Sequence, residues 1–258
     1  MDAGFIVAAS NGVVRLKFNR PETRNALTSA VCAALQAQLV RIADAPECRA
    51  LVIEGSEGAF VSGADVAHLQ ALRSDRPQLL AMYRQLRATQ EQLYALTLPT
   101  VALIDGFCMG AGLSLAMACD LRVATARSEF AASPARLGLI YSRCEVSRLV
   151  MHIGAGSARD LLFTGRRVDG AEALHLGLIQ RLVRPQDMES ALAELLREFA
   201  GCAPSSLRKS KQQLLRLERL AANDGDGDAE AEDALFQADA AEGMRAFLER
   251  RAPRFSSR

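Results

Sequence analysis

The sequence predicts an α/β fold, and three observations carry that expectation. Short apolar runs of strand length, Ala50–Glu54, Thr100–Ile104 and Leu121–Thr125, alternate with longer stretches whose apolar residues recur every three or four positions. Glycines punctuate the junctions between them. After Ser147 the pattern is mostly helical to the end of the chain.

Taken in order, Val13–Phe18 alternates apolar and polar residues, as a strand with one buried face does. Thr28 is a suitable N-cap for a helix over residues 29–45. Ala50–Glu54 is continuously apolar until its last residue and reads as a buried strand. It leads into Glu57-Gly-Ala-Phe-Val-Ser-Gly-Ala-Asp-Val-Ala-His68, where Gly63 permits an exposed backbone and Asp65 is suited to cap a following helix. Residues 76–97 form a long helical pattern closed by Pro99. The stretch from Leu103 to Asp120 reads as a buried strand, a tight turn through Gly106, Gly110 and Gly112, and an apolar helix. Leu121–Thr125 is a further strand, and another passes through Phe130 with Glu129 at the surface.

Composition narrows the function class. The chain has 258 residues, half of them hydrophobic, and a net charge of +1, which suits one sizeable core and gives no reason to expect nucleic acid or a membrane as partner. The first residues lack a basic region before their short apolar run, and no apolar run is long enough to span a bilayer, so a cytoplasmic protein is expected. The six cysteines form no C-x-x-C pair, no Cys/His cluster has zinc spacing, and no metal is expected. Cys108 and Cys119 read as small buried thiols, and His68, His152 and His175 as packing or surface residues. From Asp224, carboxylates fall at the first, third and fifth positions of a calcium-type loop, but Ala229 and Leu235 stand where the turn glycine and bidentate glutamate belong. An acidic connection between two helices is expected there.

The two strand–glycine–helix junctions are the candidate site. A helix N-terminus leaves backbone N–H groups without partners, and glycines let a ligand approach them. For either junction alone, turning and close packing explain the glycines as well as an anion cradle does. The spacing fits neither G-x-G-x-x-G nor the phosphate loop that needs a lysine after Gly112. Two such junctions together can bring two N–H groups to one point, the geometry that stabilises an oxyanion.

Gly-Ala-Phe-Val-Ser-Gly-Ala-Asp at 58–65 and Asp-Gly-Phe-Cys-Met-Gly-Ala-Gly-Leu-Ser at 105–114 together resemble the paired signature of the crotonase (enoyl-CoA hydratase/isomerase) superfamily. Asn19–Leu27, Arg136–Ile140, Leu162–Gly165, Ala171–Ile179 and Glu242–Glu249 resemble its other motifs in the same order, so the resemblance covers about residues 5–255. It implies a spiral of ββα turns over residues 1–195 and a helical trimerisation region over 196–258, with a homotrimer or a dimer of trimers as the assembly. It also implies an acyl-CoA thioester as substrate and no cofactor, coenzyme A being part of that substrate. The Ala64 and Ala111 N–H groups would form the oxyanion hole, and Arg24, Ala26, Ser62, Gly63, Asp65, Val66, Gly110, Pro134 and Gly138 would line the substrate. Arg208-Lys-Ser-Lys211 reads as a solvated helix face, to which the resemblance allows a part in holding a CoA phosphate.

The chain departs from the family pattern where its hydratases carry two glutamates. Those positions are Ser114 and Pro134, and the position of the dienoyl-CoA isomerases' aspartate is Ser142. A serine hydroxyl needs an activating partner and proline has no acid–base function, so ordinary enoyl-CoA hydration is not expected. Glu145 is a candidate replacement base. Phe130–Ser142 resembles the matching segment of methylmalonyl-CoA decarboxylases, with Tyr141 at their tyrosine, although those usually keep a glutamate at the Ser114 position. Three functions stay open: an enolate-stabilising acyl-CoA enzyme, a decarboxylase of the same family, and a non-catalytic CoA-ester-binding oligomer.

Overall fold

Successive turns of the chain lay one strand in each of two sheets, in a computed structural model that describes residues 4–222 and 227–255. Strands β1 (Phe5–Ser10) and β2 (Val13–Phe18) form a hairpin, and α1 (Ser29–Ala43) leads to β3 (Ala50–Glu54) and β4 (Ala59–Val61). Helices α2 (Val66–Ala71) and α3 (Arg76–Tyr94) complete that turn. The next turn is β5 (Thr100–Ile104), β6 (Phe107–Met109) and α4 (Ala111–Met117), and the one after is β7 (Leu121–Thr125), β8 (Glu129–Ala131) and α5 (Arg143–Thr164). Then come β9 (Val168–Asp169), α6 (Gly170–Leu176), β10 (Arg181–Val183), α7 (Met188–Ala200), α8 (Pro204–Ala222), α9 (Gly227–Ala234) and α10 (Ala238–Leu248).

The six-stranded sheet runs β1-β2-β3-β5-β7-β10, parallel except for the first hairpin. The four-stranded sheet runs β4-β6-β8-β9, parallel except at β9. This is the expected spiral. Every residue of β5 is buried, as a parallel strand covered on both faces requires. Thr28 caps α1 by accepting from Val31 N at 3.3 Å.

Where the glycine junctions read as bare turns, short strands are built instead: β4 lies ahead of Gly63, and β6 separates Gly106 from Gly110. Three residues are too few to display a period, and only pairing with neighbouring turns of the spiral makes them strands. Helix α5 also starts earlier than the sequence pattern suggests, because Ser142 and Glu145 form a capping box at its N-terminus.

The largest apolar core lies between the sheets and α1, α4 and α5. A second joins Val66, Leu69, Leu79 and Met82 to Leu235, Ala240 and Met244, which seats α10 on α2 and α3. A third packs Leu192 and Leu195 of α7 under Val52, Val101 and Val123 of the first sheet, so a helix runs through the expected boundary at residue 195. The basic run in α8 is not wholly a solvated face. Lys211 is buried, and its Nζ donates to Asp120 Oδ2 at 2.7 Å and to Leu98 O at 3.0 Å, tying α8 to the start of β5. A flexible methylene stem with one charged end can reach back into the core in a way that sequence periodicity does not reveal. Of the acidic stretch, Asp224 and Asp226 lie outside the described residues, and helix α9 begins at Gly227. Among the described residues no helix is long and apolar enough to cross a membrane.

Gly112, in the first turn of α4, is where two turns of the spiral touch. A Cβ there would sit 2.1 Å from the Val61 carbonyl oxygen of β4. Gly112→Ala is therefore expected to lower stability by about 1–3 kcal/mol, the usual range for overpacking, at the upper end because backbone rather than a side-chain tip must yield. Urea unfolding checks this; a midpoint equal to that of the wild type would show that the two turns are not in contact.

Candidate active site

The first motif is assembled by backbone hydrogen bonds between two distant loops. After a short 3-10 turn over Pro21–Thr23, the Arg24 carbonyl accepts from Ser62 N at 3.1 Å, and Ser62 Oγ donates to Thr23 O at 3.1 Å. Leu27 N donates to Gly63 O and Asp65 N to Leu27 O, both at 2.8 Å. In that parallel bridge the partners are the residues on either side of Ala64, so the Ala64 N–H takes no part in it. Asp65 caps α2 by accepting from His68 N at 3.0 Å, as expected. Val66 opens the buried face of that helix, and Ala26 is buried behind the loop. Arg24 is exposed, with its guanidinium 4.9 Å from the centre of the Phe107 ring.

The second motif lies against the first. A Cβ on Gly63 would come within 4.0 Å of Ala111 N and 3.3 Å of Met109 O. Gly110 has φ 51° and ψ −118°, a backbone that side-chain-bearing residues rarely adopt, and this turns the chain abruptly from β6 into α4. Ala111, as the first residue of α4, has no preceding helical turn to which its N–H can donate. The structure thus brings Ala64, Gly63, Gly110 and Ala111 together.

Behind this pair lies a polar cluster. Tyr141 Oη donates to the Gly110 carbonyl at 2.9 Å, and Ser114 Oγ lies 3.4 Å from the same oxygen. Burial pushes the Tyr141 phenol well above its ordinary value; the charge of Glu145 adds to this, and the Ser114 hydroxyl pulls weakly the other way. Glu145 is buried rather than on the helix surface, and its Oε2 accepts from both Ser142 N and Ser142 Oγ at 2.9 Å. One oxygen of its carboxylate is thereby held by the helix cap. Pro134 opens a 3-10 turn that ends at Gly138, which is φ 64° and packed against the Asp239 backbone of α10. Glu129 pairs with Arg167 at 2.8 Å, and His68 Nε2 lies 3.3 Å from Ser29 Oγ. Cys108 and Cys119 are fully buried, and desolvation raises both thiols, Cys119 to about 12.

Residues 8–258 match the enoyl-CoA hydratase/isomerase family. The chain is 32% identical over 258 residues to the crotonyl-CoA hydratase of Syntrophomonas wolfei subsp. wolfei, covering 94% of each chain. It is 31% identical over 258 residues to the human mitochondrial enoyl-CoA hydratase domain-containing protein 2, covering 97% of this chain and 87% of that one. Among solved structures, an enoyl-CoA hydratase from Bacillus anthracis superposes with a TM-score of 0.77 at 27% identity, covering 98% of each chain. A methylmalonyl-CoA decarboxylase superposes with a TM-score of 0.86 over 98% of each chain; at 23% identity that likeness is one of fold.

Two supports of the site escaped the sequence reading. Asn25 is buried; its Oδ1 accepts from Arg20 N and its Nδ2 donates to Ala59 O, both at 2.8 Å, which locks the Asn19–Leu27 stretch to β4. Arg122 is 1% exposed, and its guanidinium donates to Leu178 O at 2.7 Å, Cys119 O at 2.8 Å and Ala116 O at 3.3 Å, closing the C-terminal end of α4. Desolvation lowers it to about 10, so it stays charged. The visible signal was one arginine inside an apolar strand. Beside it, His152 Nδ1 lies 3.5 Å from Arg122 Nη2, and enclosure together with that charge lowers the imidazole to about 3. The unfolded chain protonates His152 near its ordinary value of 6.5, whereas the folded protein resists until about 3. This contribution is therefore complete above pH 6.5 and is lost on acidification toward pH 3, by at most about 1.4 kcal/mol per pH unit. Denaturant titrations across that window should show a shallower acid slope in His152→Gln; identical slopes would mean that the ring titrates freely.

Proposed function

The chain belongs to the enoyl-CoA hydratase/isomerase family, and from that premise we propose that it binds an acyl-CoA thioester and stabilises the enolate formed from it. The observation that carries this reading is the approach of the Gly63 loop to the Ala111 N–H, which pairs two uncommitted amides. The thioester oxygen sits between the N–H groups of Ala64 and Ala111. As charge moves onto that oxygen the fixed donors strengthen their hold, and losing one such donor typically costs about 2.7–4 kcal/mol. In this reading Arg24, Ala26, Ser62, Gly63, Asp65, Val66, Gly110, Pro134 and Gly138 line the acyl-CoA. The reading calls for no cofactor beyond the coenzyme A of the substrate.

Hydration requires one group to take a proton from water and another to manage the α-carbon proton. Ser114 and Pro134 offer neither, and the Glu145 carboxylate already accepts two hydrogen bonds at Oε2 from the cap of its own helix. This favours a second reading, decarboxylation of an α-carboxyacyl thioester. The Cα–CO₂ bond breaks, its electron pair passes to the α-carbon and thioester oxygen, and CO₂ leaves. A proton from solvent then restores the acyl-CoA, so no carboxylate base is needed. For the assembly we propose a homotrimer or dimer of trimers held through residues 196–258, supported by the exposed Leu214, Leu217 and Phe247.

Mass spectrometry of the protein with enoyl-, α-carboxyacyl- and saturated acyl-CoA esters in heavy water tests these readings. Loss of CO₂ from the α-carboxyacyl ester is the expected result. Deuterium entry alone would indicate isomerase-like enolate chemistry, and added water would overturn the exclusion of hydration. Esters that bind but return unchanged would leave only a non-catalytic role. Glu145→Gln is expected to lose about 1 kcal/mol of stability, as a weakened cap does, while turnover stays within about twofold; abolished turnover in folded protein would make Glu145 the base.

A further inference from the structure

The Gly110 carbonyl and the Ala111 N–H are opposite ends of one peptide group. The carbonyl end is loaded by the Tyr141 hydroxyl at 2.9 Å and by Ser114 N, the first helical bond of α4, at 3.0 Å. Both lone pairs of that oxygen therefore have close donors, with the Ser114 hydroxyl beside them at a longer 3.4 Å. Tyr141 and Ser114 are both buried, which shields these two donors from competing water. Hydrogen bonds on either side of an amide polarise one another: a donor on the oxygen draws electron density through the C–N bond and makes the N–H a better donor. Gly110 also leaves the plane of this peptide poorly fixed by sterics, since no Cβ restricts its ψ. A hydroxyl delivered from outside the helix, by the segment between β8 and α5, supplies the missing restraint.

We propose that Tyr141 is a positioning residue that acts through the Gly110–Ala111 peptide, orienting it and strengthening the Ala111 N–H as a donor to the thioester oxygen. The inference rests on the reading in which that amide is one of the two donors. It assigns the phenol no proton transfer to substrate, and its raised protonation threshold suits this role, because the hydroxyl remains a donor throughout the working range. It also gives Ser114 a function without acid–base chemistry: the small side chain leaves room for the phenol to reach the carbonyl one helical turn back.

The test is the infrared band of a saturated acyl-CoA labelled with carbon-13 at the thioester carbonyl, which binds without being consumed. In the wild type the band should fall in frequency on binding. Tyr141→Phe should give back roughly 10–30% of that displacement, the expected share of cooperative polarisation. Its kcat should fall about three- to tenfold with KM nearly unchanged, less than the loss of a whole donor. Site-specific replacement of Tyr141 by 3-fluorotyrosine keeps the ring and hydroxyl but makes a stronger donor, and should move the band beyond the wild-type position. This second variant decides the matter if the phenylalanine variant does not fold. A band unmoved by either substitution overturns the proposal while the enolate reading stands. No displacement on binding to the wild type removes the enolate reading itself, and this proposal with it.

Discussion

Helix α4 is enclosed by the core, and a short helix in that position must have both ends satisfied without water. Residues Gly112 to Met117 are buried, yet the helix is barely two turns long, so most of its polar backbone groups are end groups. At the C-terminal end the Arg122 guanidinium takes up the Ala116 and Cys119 carbonyls. At the N-terminal end Gly110 N donates to Ala131 O of β8, and its carbonyl takes the Tyr141 hydroxyl. The Ala111 amide, at the first position of α4, has no helical acceptor before it. Its place is set by the contacts that fix Gly110 on either side.

The same constraint explains why charge is allowed inside this protein. Arg122 is enclosed and held by three carbonyl oxygens, two at the end of α4 and one at Leu178 after α6. Leaving any of those carbonyls unpaired would carry the desolvation cost of a buried polar group, so the cation serves as a multi-point cap. Lys211 does comparable work at the base of β5, where Asp120 also accepts from Thr100 N and Thr100 Oγ1. Both cations bind distant parts of the spiral to one another.

Around the two glycine junctions the chain presents backbone N–H groups, and Ser114 and Pro134 carry no carboxylate. Carboxylates do stand nearby, but Asp65 and Glu145 are each tied to the N-terminus of a helix. On the proposed reading, such an arrangement suits reactions in which the electron pair arrives without a base.

The sequence by itself determined the α/β alternation, the strands Ala50–Glu54, Thr100–Ile104 and Leu121–Thr125, the caps at Thr28 and Asp65, and the two glycine junctions with their ordered motifs. These are local properties: apolar runs, side chains that bond to amides three residues on, and residues that allow unusual backbone. Tertiary structure alone decided what depends on distance between turns. It made strands of β4 and β6, buried Lys211 and Arg122, brought Glu145 into a cap rather than to the surface, and directed the Tyr141 hydroxyl to Gly110. The reason is that a three-residue strand, a buried cation or a hydroxyl's choice of acceptor depends on partners supplied by remote parts of the chain, and no period or spacing along the sequence encodes where those partners will be.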